Sequence, residues 1–318
     1  MPMGGATTAH DSFRHEATFY RGNEDFVTSA APFVREAVRG GQPVMVAVVP
    51  ERLQLLGEAL GDDAKDVEFV DMSRLGRNPA NIIPAWRQFI DEHCVDGRPV
   101  RGIGEPVWSG RSAVEIAECQ LHEALLNMAL PPDTAMWLRC PYDVTALDDG
   151  VIAHARRSHP ALVDGDSYSG SVDYSGADLV EALFEAALDE PGATASAMRF
   201  GREDYAAVRR AVQSAARAAG LTEVRATEVA LAVHEIATNS VKHGGGQGSL
   251  RAWITGDALV FELRDGGVIA DRLVGRTTPS TSAEGGRGVW LANRLCDLVQ
   301  LRSGSDGTAV RLISWLDR

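Results

Sequence analysis

The chain has 318 residues, of which 45% are hydrophobic and 24% charged, and a formal net charge of -13. That length exceeds one comfortable core and suits two domains, and the acidic balance excludes a nucleic-acid backbone as the main partner, since phosphate binding wants a basic face. No stretch reaches the ~18 apolar residues of a membrane span, the opening MPMGGATTAHDSF lacks a signal-peptide pattern, and the cysteines form no Cys-x-x-Cys pair, so the expected setting is a reducing cytoplasm without membrane contact.

The first half alternates strand-like and helix-like runs. Residues 43–50 (PVMVAVVP) form a continuous apolar run bounded by prolines, as a buried strand does. Residues 51–60 read as a helix and 67–72 as a second strand. Residues 79–93 are helical, with Ile82, Ile83, Trp86, Phe89 and Ile90 at helical spacing. Residues 99–107 and 134–139 read as further strands, and 112–128 as the long helix between them. Strands separated by helices predict an α/β domain with a parallel or mixed sheet over residues 13–163. Residues 164–195 hold DGDSYSGSVDYSG, a short amphipathic stretch at 177–188 and EPGATAS; Gly, Ser, Asp and Pro dominate both ends, which is linker chemistry.

The last part, residues 196–318, opens with a helix over 203–219 that ends at Gly220. Thr222 can cap the next helix, which runs to about His243 and meets Gly244-Gly245-Gly246. Strands near 250–255 and 258–264, a Gly/Ser/Thr-rich loop over 266–286, a helix at 289–296 and strands near 298–302 and 308–315 complete the order.

Four short motifs in this part carry polar chemistry. On the helix HEIATNSVKHGGG, the residues Val229, Val233, Ile236, Ala237 and Val241 make an apolar face, while Glu235, Asn239, Lys242 and His243 gather on a neighbouring stripe. An acid, an amide and two basic groups side by side can hold a metal-bound triphosphate; an ordinary solvated face ending in a glycine cap gives the same pattern. Asp265-Gly266-Gly267 follows an apolar strand: the Asp265 carboxylate can accept a hydrogen bond from an adenine amino group, and Gly267 lets backbone approach a flat base, although an Asp-Gly turn reads the same way. Gly285-Gly286-Arg287-Gly288 opens a helix, where free amides and the helix dipole favour phosphate and Arg287 adds a fixed positive fork; a flexible hinge is the plainer alternative. Thr308, after Gly307, lies between the last two strands, where its hydroxyl can support a base site or merely mark a hairpin.

In order and spacing these four motifs resemble the glutamate–asparagine box, the two glycine boxes and the late Gly-Thr of the GHKL ATPases, which have a two-layer α/β Bergerat fold. LAVHEIATNSVKHGGG, VFELRDGGV, GGRGVWLANRLCDLV, GTAVRL and the opening GREDYAAVRRAV resemble the RsbW-type anti-sigma factor kinases over residues 198–316. The resemblance implies ATP and Mg2+, with Asn239 ligating the ion, Glu235 as general base, Asp265 reading adenine beside Gly267 and Thr308, and Gly286, Arg287 and Gly288 closing over the phosphates near Lys242 and His243. It implies as partners a sigma factor, a STAS-domain anti-anti-sigma protein and a second copy of the chain. The first glycine box is short, DGGV, and Ser240 stands where a small apolar residue is commoner.

HEATFYRGNEDF, VRGIGEPVWSG and WLRCPYDVTAL resemble the MEDS sensory domain over residues 15–160, which implies a ligand-responsive or partner-binding module. Cys119 and His122, three apart on a helix, could share a metal with His15; two candidate ligands make a weak zinc case, and core packing is the stronger reading. Glu105, at a strand end between Gly104 and Pro106, lies where open α/β sheets bind ligands. The expected function is thus an ATP-dependent anti-sigma factor and serine/threonine kinase. A non-catalytic sigma-binding module is the alternative. A sensor histidine kinase is disfavoured, because no histidine lies between His159 and His234.

Overall fold

The computed structural model describes residues 12–190, 195–279 and 287–316, and the chain divides into two compact units, residues 1–179 and 180–318. In the first unit, β1 (Arg14–Tyr20) leads to α1 (Gly22–Arg39), β2 (Val44–Val48) and α2 (Pro50–Leu60). Then follow β3 (Val67–Asp71), the single turn α3 (Met72–Leu75), α4 (Ile82–His93), β4 (Val100–Gly104), α5 (Ala113–Ala129), β5 (Met136–Asp143), α6 (Asp149–Ser158), β6 (Ala161–Asp164) and β7 (Ser167–Gly170). The sheet runs β3-β2-β4-β5-β1-β6-β7, all neighbours parallel except β6 with β7, so it is mixed.

Helices cover both faces of this sheet, and β4 shows how. Its Ile103 packs into a core with Phe26, Phe33 and Val34 of α1 and Leu56 and Leu60 of α2. The flanking Gly102 and Gly104 point the other way, since residues two apart share a face. There Trp86 of α4 comes so close that a Cβ on Gly102 would lie 2.7 Å from its ring. Pro50 begins α2 at a position where its missing N–H costs nothing, and Ser112 with Glu115 forms a capping box at the start of α5.

Between residues 164 and 195, where composition reads as linker, β7 forms a hairpin with β6 and α7 (Gly176–Glu185) crosses the division between the units. The second unit continues with β8 (Ser196–Gly201), α8 (Tyr205–Ala218), α9 (Glu223–His243), β9 (Gln247–Thr255), β10 (Ala258–Asp265), α10 (Arg287–Leu295), β11 (Leu298–Gly304) and β12 (Gly307–Trp315). Its sheet, β11-β12-β10-β9-β8, is antiparallel throughout. Thr222 caps α9 by accepting the Arg225 N–H, as its position in the sequence predicts. The helix buries Val229, Val233, Ile236 and Ala237 and packs between α8 and α10 against β9, β10 and β12, giving two layers.

Candidate functional site

The far end of α9 sets the site. Residues 235, 239, 242 and 243 lie on one side of the helix, and Gly245 (φ +93°) and Gly246 (φ +85°) turn the chain away through left-handed backbone. Glu235, Asn239, Lys242, His243, Asp265, Gly267, Arg287, Gly288 and Thr308 all line one cavity of about 440 Å³, while Gly286 lies outside the described residues. Glu235 and Asn239 are half-buried, and among the described residues no hydrogen bond or ion pair engages either side chain or that of Lys242. The first turn of α10 closes on them: a Cβ on Gly288 would stand 2.8 Å from Asn239 Nδ2 and 3.3 Å from Glu235 Oε2.

The opposite wall is built around Asp265 at the end of β10. Its Oδ1 accepts the Gly267 N–H (2.8 Å), which folds the glycine turn back over the strand end. Gly267 must be glycine, because a Cβ would meet His243 O at 2.7 Å and Gly244 Cα at 3.0 Å, both backbone. Thr308 Oγ1 donates to Gly267 O (2.8 Å), so the Ser303 hydroxyl, 2.8 Å from Thr308 Oγ1, donates to Thr308. Ser303 Oγ in turn accepts the Ile269 N–H (2.8 Å). Two hydroxyls from β11 and β12 thereby pin the loop that follows Asp265. Ser303 is a positioning residue that no sequence motif pointed to; its one signal is its place opposite Thr308 in the β11–β12 register.

Residues 200–314 match the model of the histidine kinase-like ATPase domain, and residues 14–160 match that of MEDS, the MEthanogen/methylotroph, DcmR Sensory domain. The chain joins a MEDS domain to a histidine kinase-like ATPase domain. ATP binding comes with the second family, and the antiparallel sheet under α8, α9 and α10 is its two-layer α/β form. No curated protein matches the sequence. Among solved structures, the RsbU and RsbW domains of Rv1364c from Mycobacterium tuberculosis align at 17% identity with a TM-score of 0.29, over 39% of this chain and 33% of that one. Among the described residues, no helix is long and apolar enough to cross a membrane.

In the MEDS domain, Glu105 sits just beyond β4, at the carboxyl end of the parallel strands, and is 1% exposed. Tyr20 Oη, at the end of β1, donates to its Oε1 (2.8 Å), as does Arg52 Nη1 from α2 (2.7 Å), and Arg52 also approaches Asp143 at the end of β5 (3.8 Å). Burial pushes the Glu105 carboxyl up to about 7, against the pull of Arg52 and the Tyr20 hydrogen bond. A carboxyl raised by folding binds its proton more tightly in the folded state, so the stability it contributes is full below its unfolded value of 4.5 and is lost as pH rises to about 7. A shift of that size is worth about 3 kcal/mol. In Glu105→Gln, thermal unfolding measured from pH 4.5 to 8 should lose this slope; an unchanged slope would remove Glu105 as its source.

Cys119 and His122 do not join His15 in a metal site. The Cys119 thiol donates to Pro106 O (3.1 Å) in the core, and burial pushes it up to about 12. His15 points instead from β1 to Glu123 and Asn127, one and two turns further along α5 than Cys119. Cys119 and His122 stand three apart on one helix, whereas the side chains that His15 meets come from segments far along the chain.

Proposed function

We propose that this chain is an ATP-dependent serine/threonine protein kinase of the RsbW type that also acts as an anti-sigma factor. In this reading it holds a sigma factor, and phosphorylation of a STAS-domain anti-anti-sigma protein blocks that rival partner, while the MEDS domain tunes the balance. The observation that carries the reading is the pair Glu235 and Asn239, one turn apart on α9, uncommitted to any other side chain and facing a cavity of about 440 Å³ closed by Gly288. That volume lies within the range of small-molecule sites, about 300–1,000 Å³.

The chemistry follows from the lining. Asp265 takes the adenine amino group, with Gly267 and Thr308 shaping the floor. Lys242 and Arg287 offer positive charge at the triphosphate end, and the His243 ring and the amides at the start of α10 add hydrogen-bonding groups. Mg2+ fits beside Asn239, whose amide oxygen is a hard ligand, and when bound it supplies charge neutralisation on the phosphates. Glu235 takes the proton of a serine or threonine hydroxyl as that oxygen bonds to the γ-phosphorus; the bond to the bridging oxygen breaks and ADP leaves.

The test is to incubate the pure chain with Mg2+, ATP labelled on the terminal phosphate and STAS-domain proteins of the same genome, with Asn239→Ala as control. Acid-stable label should appear on one STAS protein and vanish in the variant. Acid-labile label on the chain itself would instead make it a histidine kinase, and no transfer despite ATP binding would leave a sequestering module.

A further inference from the structure

A second cluster of chemistry-bearing groups lies in the MEDS domain, away from the nucleotide cavity. His15 comes from β1, Glu123 from α5, Cys140 from β5, and His159 follows α6. Their ligand atoms all lie within 4.8 Å of one another, and the four residues are between 0% and 2% exposed. We propose that His15, Glu123, Cys140 and His159 form a closed four-ligand site for a divalent transition-metal ion, with zinc the best match.

Spacing is the first argument. His15 Nε2 is 3.1 Å and His159 Nε2 3.4 Å from Glu123 Oε2; Cys140 Sγ is 3.4 Å from His15 Nε2 and 3.5 Å from Glu123 Oε2. Zinc bonds of about 2.0–2.3 Å to nitrogen, oxygen and sulfur set the edges of a tetrahedron at about 3.3–3.6 Å. Three of these four separations match those edges, the fourth, 3.1 Å, is about 0.2 Å shorter, and the remaining two pairs lie within 4.8 Å.

Hydrogen bonding is the second argument. His159 Nδ1 faces Ala155 O (2.8 Å), and His15 Nδ1 faces Asn127 Oδ1 (3.1 Å). The Asn127 amide is oriented by its Nδ2, which donates to Ser158 O (2.8 Å). A ring nitrogen beside such an oxygen carries the proton, so on a neutral ring each Nε2 presents a bare lone pair. Two lone pairs therefore converge on a carboxylate oxygen, with the Cys140 thiol and the Tyr142 hydroxyl as the neighbouring donors. Among the described residues, no hydrogen bond of good geometry engages His159 Nε2, although it lies 3.4 Å from Glu123 Oε2, or Glu123 Oε1. A cation at the centre takes up both imidazole lone pairs and the Glu123 Oε2 they face, and an imidazole whose other nitrogen is held by a carbonyl is the arrangement metal-binding histidines adopt.

Four protein ligands and complete burial leave no position for substrate, which marks a structural rather than a catalytic ion. The ion would tie the interior strands β1 and β5 to the helical layer of α5 and α6, and would enter as the domain folds.

The experiment is metal analysis of the full chain purified from cells grown with zinc, iron and cobalt in turn. We expect an equimolar metal, and in the cobalt-grown protein the intense visible bands of a tetrahedral ion with a thiolate-to-cobalt charge-transfer band. Cys140→Ser should lose that band. Asn239→Ala, which alters the nucleotide cavity, should keep it, as should the triple variant Cys94→Ser/Cys119→Ser/Cys296→Ser, which leaves Cys140 as the one thiol and decides the matter if Cys140→Ser does not fold. Protein that copurifies with no metal from any culture, or a thiolate band lost in the triple variant, overturns the proposal.

Discussion

Glu235→Ala should bind ATP as the natural chain does and transfer its phosphate about 10²–10⁴-fold more slowly, the usual contribution of a positioned general base. The side chain is half-buried, makes no hydrogen bond among the described residues and packs nothing together, while Val233, Ile236 and Ala237 hold α9 to the sheet. Alanine is the best helix former, so the variant keeps its fold. Asn239→Ala offers the contrast: it should weaken Mg2+-dependent binding of ATP as well as transfer. Single-turnover transfer at saturating ATP, measured beside the nucleotide dissociation constant, separates the two effects. Equal rates for Glu235→Ala and the natural chain would deny Glu235 its role. Within cells, sigma-factor control that survives unchanged in Glu235→Ala would mean that sequestration, not catalysis, is the function.

The site was legible because its signals are local. Residues three and four apart on α9 share a face whatever the rest of the chain does, and Asp265-Gly266-Gly267 follows its strand directly. What stayed hidden depends on distant partners. The strand β1, RHEATFY, reads as polar, yet Glu16 is wholly buried because Arg139 Nε donates to it (3.2 Å), and His15 is buried because Asn127 and Glu123 receive it. Those partners lie over a hundred positions along the chain, and no window of periodicity includes them. The same holds for β7, four exposed residues of serine, tyrosine and glycine that become a strand by pairing with β6. Alternation of apolar runs did reveal β2, β3, β4 and β5 with the helices between them; β2, VMVAV, buried on both faces, is apolar throughout, while the other three keep enough apolar residues to stand out.

The opposite face of the ATPase sheet holds the residue whose loss should cost most in stability. Glu262 of β10 is 0% exposed, and its register neighbours across both ladders are arginines, Arg251 on β9 and Arg311 on β12. Arg311 Nε donates to its Oε2 (2.7 Å), Arg251 Nε and Arg264 Nε donate to its Oε1 (2.9 and 2.7 Å), and Glu190 bridges Arg251 and Arg264 from outside. Burial alone would raise this carboxyl, but the hydrogen bonds from Arg264, Arg251 and Arg311 outweigh it and hold it below the ordinary range. Glu262→Ala leaves the arginines facing one another with their shared anion gone, and breaking a buried pair in this way costs about 3–5 kcal/mol. Arg264, 38% exposed at its side chain, adds least, because solvent already screens it. A carboxyl depressed by folding contributes its stability above the unfolded value and loses it as pH falls through the folded one, so the difference between natural chain and variant should be full at neutral pH and shrink in acid. Denaturant unfolding of the two proteins at pH 7 and in acid reads both effects. A midpoint at pH 7 that barely moves would mean that Glu190 and water already neutralise the arginines, and that Glu262 is not what holds β9, β10 and β12 in register on that face.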